Sequence, residues 1–313
     1  MNSLLVKNPG LLTTVQDLGR QGFGPIGVSA SGAADRIAIC LGNRLVGNPE
    51  NAAALEMTLL GGEFEFAQEA VVVATGSDFN ATLDGFSIAM NESLQVKAGE
   101  SIKFGPTRSG ARCYLCMSGG ICVPRVLGSR STHLLSGLGG FEGRALRKGD
   151  VLPVGPFGGK FVHRLIAERF LTRLALRKTL RVTQGPQSDL FPKTTIDAFF
   201  SQSYLVTEET NRMGIRLRGK AAPVLGKGEM ISEGVSLGAI QVPAGGQPII
   251  LFVEQQTTGG YPILANVISA DFSSLGQLRP RDEIRFELVT MAEARKLLVE
   301  QERVLLSAEL IHE

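Results

Sequence analysis

Short apolar runs that end in glycine turns recur along most of the chain, and this pattern constrains the fold more than any other feature. Val71–Thr75 and Tyr114–Met117 are two such runs, and Asp84-Gly85 is one of the turn signals between them. Runs of this length that are bounded by glycine predict strands rather than helices. Glycine accounts for 38 of 313 residues and is scattered rather than periodic, which fits many tight turns. The sequence therefore predicts a mainly β fold with a few helices.

Three segments of the chain depart from this strand pattern and predict helices. Apolar residues recur at helical spacing from Arg36 to Val46, after a candidate capping residue at Ser31 or Asp35. Asn51–Leu55 is predicted to form a short second helix. The C-terminal helix should begin at Thr290–Glu293, where a hydroxyl and a carboxylate three residues apart form a capping box.

The length and a change in composition predict two domains. A chain of 313 residues exceeds the usual size of one hydrophobic core. The segment 158–178 is rich in arginine, and three of its arginines are four residues apart, which places them on one face of a helix. We therefore predict an N-terminal subdomain over residues 1–157, a basic helical connector over 158–178, and a C-terminal subdomain with a terminal helix over 179–313. The basic face is interpreted as solvated, with a membrane surface or an acidic partner as the alternatives.

Charge and hydropathy exclude several classes of function. The formal net charge is only +2, which provides no field for nucleic acid or an anionic membrane. We find no apolar run long enough to span a membrane and no secretory signal, so we expect a cytoplasmic protein. Cys113 and Cys116 fall on opposite faces of a predicted strand, so we expect no metal site. No phosphate-binding loop or dinucleotide motif is present.

A polar stretch that follows a predicted buried strand is the strongest candidate site. The strand is Ile249–Val253, and the stretch from Glu254 to Pro262 contains amides, hydroxyls and two glycines. Glycine lets the backbone approach a ligand closely, and loops on a rigid sheet are common binding sites. The alternative is a structural turn.

Two other polar clusters are candidates for the same site. Gly27 to Asp35 is a loop of small residues that enters a helix, where backbone N–H groups attract anions and carbonyl oxygens. Asn211–Gly214 lies between two predicted strands, and Arg212 could bind a carboxylate through two hydrogen bonds. An ordinary capped helix and a surface arginine on a turn are the respective alternatives.

A series of short motifs, in this order, resembles the biotin-dependent carboxyltransferase subdomain A/B family, also called the allophanate hydrolase subunit 2 family. The resemblance runs from about residue 3 to about residue 300. The motifs are Thr13–Arg20, Ser31–Asp35, Asn43–Asn48, Ala52–Glu56, Gly128–Thr132, Gly185–Gln187, Asn211–Gly214, Gly238–Pro243 and Gln256–Pro262.

The resemblance implies cyclophilin-like β-barrel subdomains and a function shared with other polypeptides. The implied activity is that of the C subunit of an ATP-dependent 5-oxoprolinase, which opens 5-oxo-L-proline to L-glutamate together with the A and B subunits. ATP would be bound by the partners. The alternatives are a carboxyltransferase component that acts on urea or a related amide, which would involve biotin, and a regulatory protein that binds a kinase inhibitor.

We assign roles to the candidate residues on this basis. Gln256, Thr257, Gly259 and Gly260 are the expected catalytic residues. The expected substrate-binding residues are Asn211, Arg212, Tyr261, Ser31 and Asp35.

Overall fold

The computed structural model describes residues 2–156, 159–225 and 230–313, and it divides the chain into two compact units. Unit 1 comprises Met1–Arg20, Ser31–Arg173 and Ser307–Glu313, and unit 2 comprises Gln21–Ala30 and Leu174–Leu306. Unit 2 thus includes ten residues of the predicted N-terminal subdomain. The predicted boundary at residues 157 and 158 lies outside the described residues.

The described strands are short and account for most of the regular structure. The strands up to the middle of the chain are β1 (Ser3–Asn8), β2 (Leu12–Gln16), β3 (Ala54–Thr58), β4 (Glu63–Phe66), β5 (Ala70–Gly76), β6 (Thr82–Leu83), β7 (Phe86–Ser87), β8 (Leu94–Val96), β9 (Ser101–Lys103), β10 (Arg112–Met117), β11 (Val151–Pro153) and β12 (Leu165–Ile166). The remaining strands are β13 (Thr179–Gln184), β14 (Tyr204–Val206), β15 (Gly214–Arg218), β16 (Glu233–Gly234), β17 (Ala239–Gln241), β18 (Ile249–Leu251), β19 (Thr258–Gly259), β20 (Ile263–Val267), β21 (Glu283–Leu288) and β22 (Ile311–His312).

The helices are few, and those predicted after Asp35 and from Thr290 are confirmed. The α-helices are α1 (Arg36–Leu45), α2 (Glu168–Arg173), α3 (Lys193–Ser201), α4 (Phe272–Gly276) and α5 (Met291–Leu305), and 3-10 turns lie at Gly24–Ile26, Ser188–Leu190 and Ser269–Asp271. Thr290 and Glu293 form the predicted capping box of α5. The predicted helix over Asn51–Leu55 is wrong, because Ala54 and Leu55 begin β3, which pairs with β2 and β10. No helix in the described part of the chain is both long and apolar enough to cross a membrane.

Unit 1 contains two large sheets that share one hydrophobic core, and a two-stranded sheet of β12 and β22. The six-stranded sheet has the order β11-β1-β4-β9-β6-β7, and the five-stranded sheet has the order β2-β3-β10-β5-β8. Fully buried side chains from both sheets, such as Phe64 of β4 and Leu115 of β10, form this core. Cys113 belongs to the same core, whereas the Sγ atom of Cys116 faces the Ile39 carbonyl oxygen of α1 at 3.8 Å. The two thiols are therefore buried in different surroundings.

Unit 2 contains a closed barrel of seven strands in the order β13-β20-β17-β18-β15-β14-β21. The barrel closes through a parallel pairing of β13 with β21, and its other pairings are antiparallel. Helix α3 packs on β21, where the rings of Phe199 and Phe286 stack with centroids 4.6 Å apart. The prediction of a mainly β fold with a barrel is confirmed.

The basic segment is helical only over α2 among its described residues, and its arginines pair with acidic side chains. Arg164 Nη2 lies 2.8 Å from Glu313 Oε1, Arg169 contacts the carboxylate of Glu309, and Arg177 lies 3.8 Å from Glu287. These pairs are exposed and contribute little individually. Three arginines of this segment are thus paired within the chain, and the solvated interpretation stays a prediction.

Candidate functional site

The polar stretch predicted from the sequence lies in a connection that crosses one strand of the barrel. We call residues 252–262 the crossover segment. It joins β18 to β20, and both of these strands pair antiparallel with β17, which lies between them. Strands β18 and β20 are therefore parallel to each other, and the connection must return along β17 from one end to the other.

A two-stranded antiparallel sheet fixes the middle of the crossover segment. Strand β19, within the segment, pairs antiparallel with β16. The Val235 N–H donates to the Thr257 carbonyl oxygen at 3.1 Å, and the Met230 N–H donates to the Gly260 carbonyl oxygen at 3.1 Å. The glycine-containing loop is thus held on one side by backbone hydrogen bonds. Among the described residues, the Gly260 N–H donates to no protein acceptor.

The second predicted cluster, Asn211–Gly214, lies directly beside the start of the crossover segment. The Glu254 N–H donates to the Arg212 carbonyl oxygen at 2.8 Å, and the Phe252 N–H donates to that of Met213 at 2.9 Å. The side-chain oxygen of Asn211 accepts from the Met213 N–H at 2.8 Å and therefore shapes its own turn. The structure brings together two polar loops that are 42 residues apart in sequence.

Arg212 and Glu254 form a buried ion pair at this junction. The Nε atom of Arg212 contacts the Glu254 carboxylate, and the two side chains are only 7% and 2% exposed. A buried charge of this kind requires a partner, because desolvation is costly. The guanidinium that we predicted to bind substrate therefore has an internal partner, and its role toward a substrate stays a prediction.

Two glutamines that we did not predict as site residues hold the far half of the crossover segment. Gln187 accepts from the Ile263 N–H at 3.2 Å and donates to Glu233 at 3.2 Å. The Nε2 of Gln241 donates to the Tyr261 carbonyl oxygen at 3.4 Å, and its Oε1 accepts from Gln256 Nε2 at 3.4 Å. Both glutamines belong to motifs that carry the family resemblance. Gln241 could also have been identified from the sequence, because it is an amide in an otherwise apolar strand.

The glycine at position 259 allows these amides to pack against the backbone. A Cβ atom there would lie 2.6 Å from Gln241 Nε2 and 3.1 Å from Gln256 Nε2. The side chain of Gln256 is exposed and that of Tyr261 is 45% exposed, so the outer surface of the segment is open to a ligand. The site therefore offers neutral donors and acceptors, together with one aromatic ring.

Ser31 and Asp35 lie in unit 1, whereas the other predicted site residues lie in unit 2. Both side chains are buried, at 5% and 4% exposure. Ser31 Oγ donates to the Thr132 carbonyl oxygen at 2.9 Å, and Asp35 caps α1 by accepting from the Ala38 N–H at 3.1 Å. Within unit 1 these two residues therefore have structural partners, and their substrate-binding role stays a prediction.

A buried hydrogen-bond network supports the loop that contains Asp35. The Tyr114 hydroxyl accepts from the Asp35 N–H at 2.8 Å and donates to Glu56 at 2.7 Å. Glu56 also accepts from the Ala34 N–H at 2.8 Å. Burial, followed by the nearby Glu56 charge, raises the pKa of Tyr114 well above its ordinary value. Tyr114 is therefore held as a neutral donor.

The described residues contain no group of three or more His, Cys, Asp or Glu side chains that could hold a metal ion. Burial raises the pKa of Cys113 well above its ordinary value, and it raises that of Cys40 to about 12. Thiols of this kind are protonated and unreactive.

Comparison with known proteins identifies the family. The family model for the carboxyltransferase domain, subdomain A and B, matches residues 26–288. The chain belongs to this carboxyltransferase family. It is 38% identical to the 5-oxoprolinase C subunit of Escherichia coli over 300 residues, which is 96% of each protein. It is 37% identical to the protein of the same name from Haemophilus influenzae over 284 residues, which is 91% of this chain and 90% of the other.

The chain is also similar in structure to larger proteins whose structures have been solved. The crystal structure of the Kluyveromyces lactis urea amidolyase matches with a TM-score of 0.89 and 33% identity, and the match covers 99% of this chain. The matched region is only 21% of that protein. The same fold is therefore found as one part of a much longer polypeptide.

Proposed function

We propose that this chain is the C subunit of an ATP-dependent 5-oxoprolinase, which opens 5-oxo-L-proline to L-glutamate together with the A and B subunits. The observation that carries the proposal is the 38% identity to the 5-oxoprolinase C subunit of Escherichia coli along 96% of both chains. Similarity along the full length of two proteins supports a shared role more strongly than a match to one domain of a larger enzyme.

The chemistry of the crossover segment supports a small neutral amide as the group that is recognised. Gln256 and Thr257 supply a side-chain amide and a hydroxyl, and Gly260 supplies a backbone N–H. A lactam carries one N–H donor and one carbonyl acceptor, which such groups can bind without a fixed charge. The charges at the start of the segment, on Arg212 and Glu254, largely neutralise each other.

The proposed mechanism assigns the following roles to the predicted residues. ATP activates the lactam oxygen, and water attacks the activated ring carbon. The N–H of Gly260 stabilises the negative charge that develops on oxygen, and Gly259, which pairs with Glu233 of β16, holds the loop in place beside it. Gln256, Thr257 and Asn211 orient the lactam, and Tyr261 packs against the ring. Arg212 binds the substrate carboxylate or, through Glu254, positions the start of the crossover segment.

The remaining parts of the proposal concern the assembly. Because no phosphate-binding loop motif occurs in the sequence, we assign ATP binding to the partners. The complex is placed in the cytoplasm, and Ser31 and Asp35 are kept as further substrate-binding candidates.

The proposal is tested by reconstitution. The chain is mixed with the A and B subunits of a 5-oxoprolinase, and the release of ADP and glutamate from 5-oxoproline is measured with and without the chain. We expect ATP-dependent glutamate release only in the complete mixture. If A and B alone reach the same rate, or if the complete mixture is inactive, the assignment is overturned.

The second candidate function is a carboxyltransferase component that acts on urea or a related amide. The match of nearly the whole chain to a urea amidolyase favours it. Biotin would be carried by another polypeptide, and its ureido ring offers the same donor and acceptor groups as a lactam. Urea-dependent consumption of ATP by a mixture with biotin carboxylase and a biotinylated carrier, without activity on 5-oxoproline, would select this candidate.

A further inference from the structure

Two backbone groups at the end of the crossover segment have a hydrogen-bonding direction that cannot change. The carbonyl oxygen of Tyr261 can only accept, and the N–H of Ile263, the residue that follows the segment, can only donate. Each of them contacts the side-chain amide of a glutamine from another strand or loop, namely Gln241 and Gln187. A primary amide can turn by 180° about its last bond, so these backbone groups determine which end of each glutamine faces them.

The orientation of Gln241 follows from the Tyr261 carbonyl oxygen. Gln241 is only 2% exposed, so its polar atoms must find protein partners. Its Nε2 faces the Tyr261 carbonyl oxygen at 3.4 Å, and its Oε1 therefore points the other way. If the amide turned over, two acceptors would face each other at this position.

The orientation of Gln256 follows in turn from that of Gln241. Its Nε2 lies 3.4 Å from Gln241 Oε1 and donates to it. The Oε1 of Gln256 is then directed away from this contact, and it has no hydrogen-bond donor among the described residues. Because the Gln256 side chain is exposed, this oxygen is presented to the outside of the segment as an acceptor.

We propose that Gln241 is a positioning residue that fixes the Gln256 side chain with its carbonyl oxygen outward, so that Gln256 accepts a hydrogen bond from the N–H of the substrate. The inference rests on the proposed function for the identity of the substrate. It adds to that function the selection of lactams over ring analogues that lack an N–H, such as the corresponding lactone.

The first test compares two ligands in the assembled complex without ATP. The dissociation constants of 5-oxoproline and its lactone analogue are measured by calorimetry. We expect the wild-type complex to bind the lactam roughly 2- to 10-fold more tightly, the value of one hydrogen bond. Gln256→Leu and Gln241→Leu should bring this ratio close to one, whereas Gln256→Glu, which keeps an acceptor, should retain it.

A matched control is available at the neighbouring position. Gln255→Leu removes an adjacent amide that takes no part in the contacts of Gln241 and Gln256, and it should retain the wild-type ratio. A purely structural role of Gln241 would weaken the binding of both ligands equally and leave the ratio unchanged. An equal ratio of dissociation constants in Gln241→Leu and wild-type complexes would therefore overturn the proposal.

The second test is independent of the activity. Neutron diffraction from crystals of the deuterated chain distinguishes the nitrogen and oxygen ends of a side-chain amide. We expect the deuterons of Gln241 toward Tyr261 and those of Gln256 toward Gln241. The reverse orientation would overturn the inference even if the complex is active. If the complex neither binds nor turns over 5-oxoproline, the proposed function is refuted. The neutron structure would still decide the orientations of the two amides.

Discussion

At the scale of single residues, Arg212 has a structural partner in unit 2 and a proposed role toward the substrate. Its guanidinium has the chemistry to bind a substrate carboxylate, yet Glu254 contacts it and both side chains are buried. Loss of activity in an Arg212 variant therefore has two explanations. They can be separated by measuring the stability of the isolated chain together with the activity of the complex.

We expect Arg212→Ala to lower the free energy of unfolding by about 3–5 kcal/mol, because Glu254 would remain as a buried charge without this partner. Urea denaturation of the isolated chain measures this change. Arg216→Ala serves as the control, because Arg216 is 48% exposed and 3.9 Å from Glu209, and its loss should cost about 1 kcal/mol or less. Equal stability of the two variants would contradict a structural role for the buried pair.

Tyr114 makes a prediction about alkaline pH. Burial beside Glu56 raises its pKa, so the folded chain keeps a proton that the unfolded chain loses above about pH 10. The unfolded state then binds fewer protons, and the free energy of unfolding falls as the pH rises. We expect Tyr114→Phe to reduce this dependence by about 1.4 kcal/mol per pH unit above pH 10.

Urea denaturation between about pH 8 and pH 11, under reducing conditions, provides this measurement. Tyr261→Phe is the matched control and should follow the wild type, because the Tyr261 ring is 45% exposed. A Tyr114→Phe curve that runs parallel to the wild-type curve would show that Tyr114 does not keep its proton in the folded chain.

At the scale of elements, the crossover segment with its two-stranded β16–β19 sheet is the feature that distinguishes unit 2 from a plain barrel. Two glycines of this small sheet differ in their surroundings. A Cβ atom at Gly259 would lie 2.6 Å from Gln241 Nε2, whereas a Cβ atom at Gly234 would meet nothing within 4 Å. Gly234 is therefore a control position for substitutions at Gly259.

We expect Gly259→Ala to lower kcat/KM of the reconstituted complex for 5-oxoproline by about 10-fold or more, because displacement of the two amides misplaces the binding groups. Gly234→Ala should leave kcat/KM unchanged. Steady-state kinetics with complexes of verified composition measure both effects. Equal activity of the two variants would mean that the glutamine contacts at Gly259 do not matter for the reaction.

The local patterns of the sequence predicted elements well where the chain itself supplies the signal. Helices α1 and α5 have helical spacing and side-chain caps, Asp35 and Thr290, and both were found. Asn51–Leu55 was predicted wrongly because pairing with β2 and β10 outweighs its local helical preference. The same limit applies to the site. The polar loops were evident in the sequence, whereas the contact of Arg212 with Glu254 and the role of Gln241 depend on pairings between distant strands.

At the scale of the whole molecule, the chain consists of a unit built on two large sheets and a barrel unit. Each unit is discontinuous in sequence. Residues 21–30 belong to unit 2 and residues 307–313 to unit 1. Length and composition could predict that there are two units. The assignment of these two segments could not be predicted, because it depends on contacts between residues far apart in sequence. The relatives of the chain include both a subunit of 5-oxoprolinase and a part of a longer polypeptide. Both arrangements are compatible with the proposed function, in which other polypeptides take part in the reaction.

The central claim is that the crossover segment of unit 2 recognises the small amide substrate. Its most direct test is kcat/KM for ATP-dependent glutamate formation by complexes that contain either the wild-type chain or Gln256→Leu, with Gln255→Leu as the control. We predict a loss of about 10-fold or more for Gln256→Leu, with assembly and stability retained, and wild-type values for Gln255→Leu. Wild-type kcat/KM in a fully assembled Gln256→Leu complex would contradict this claim.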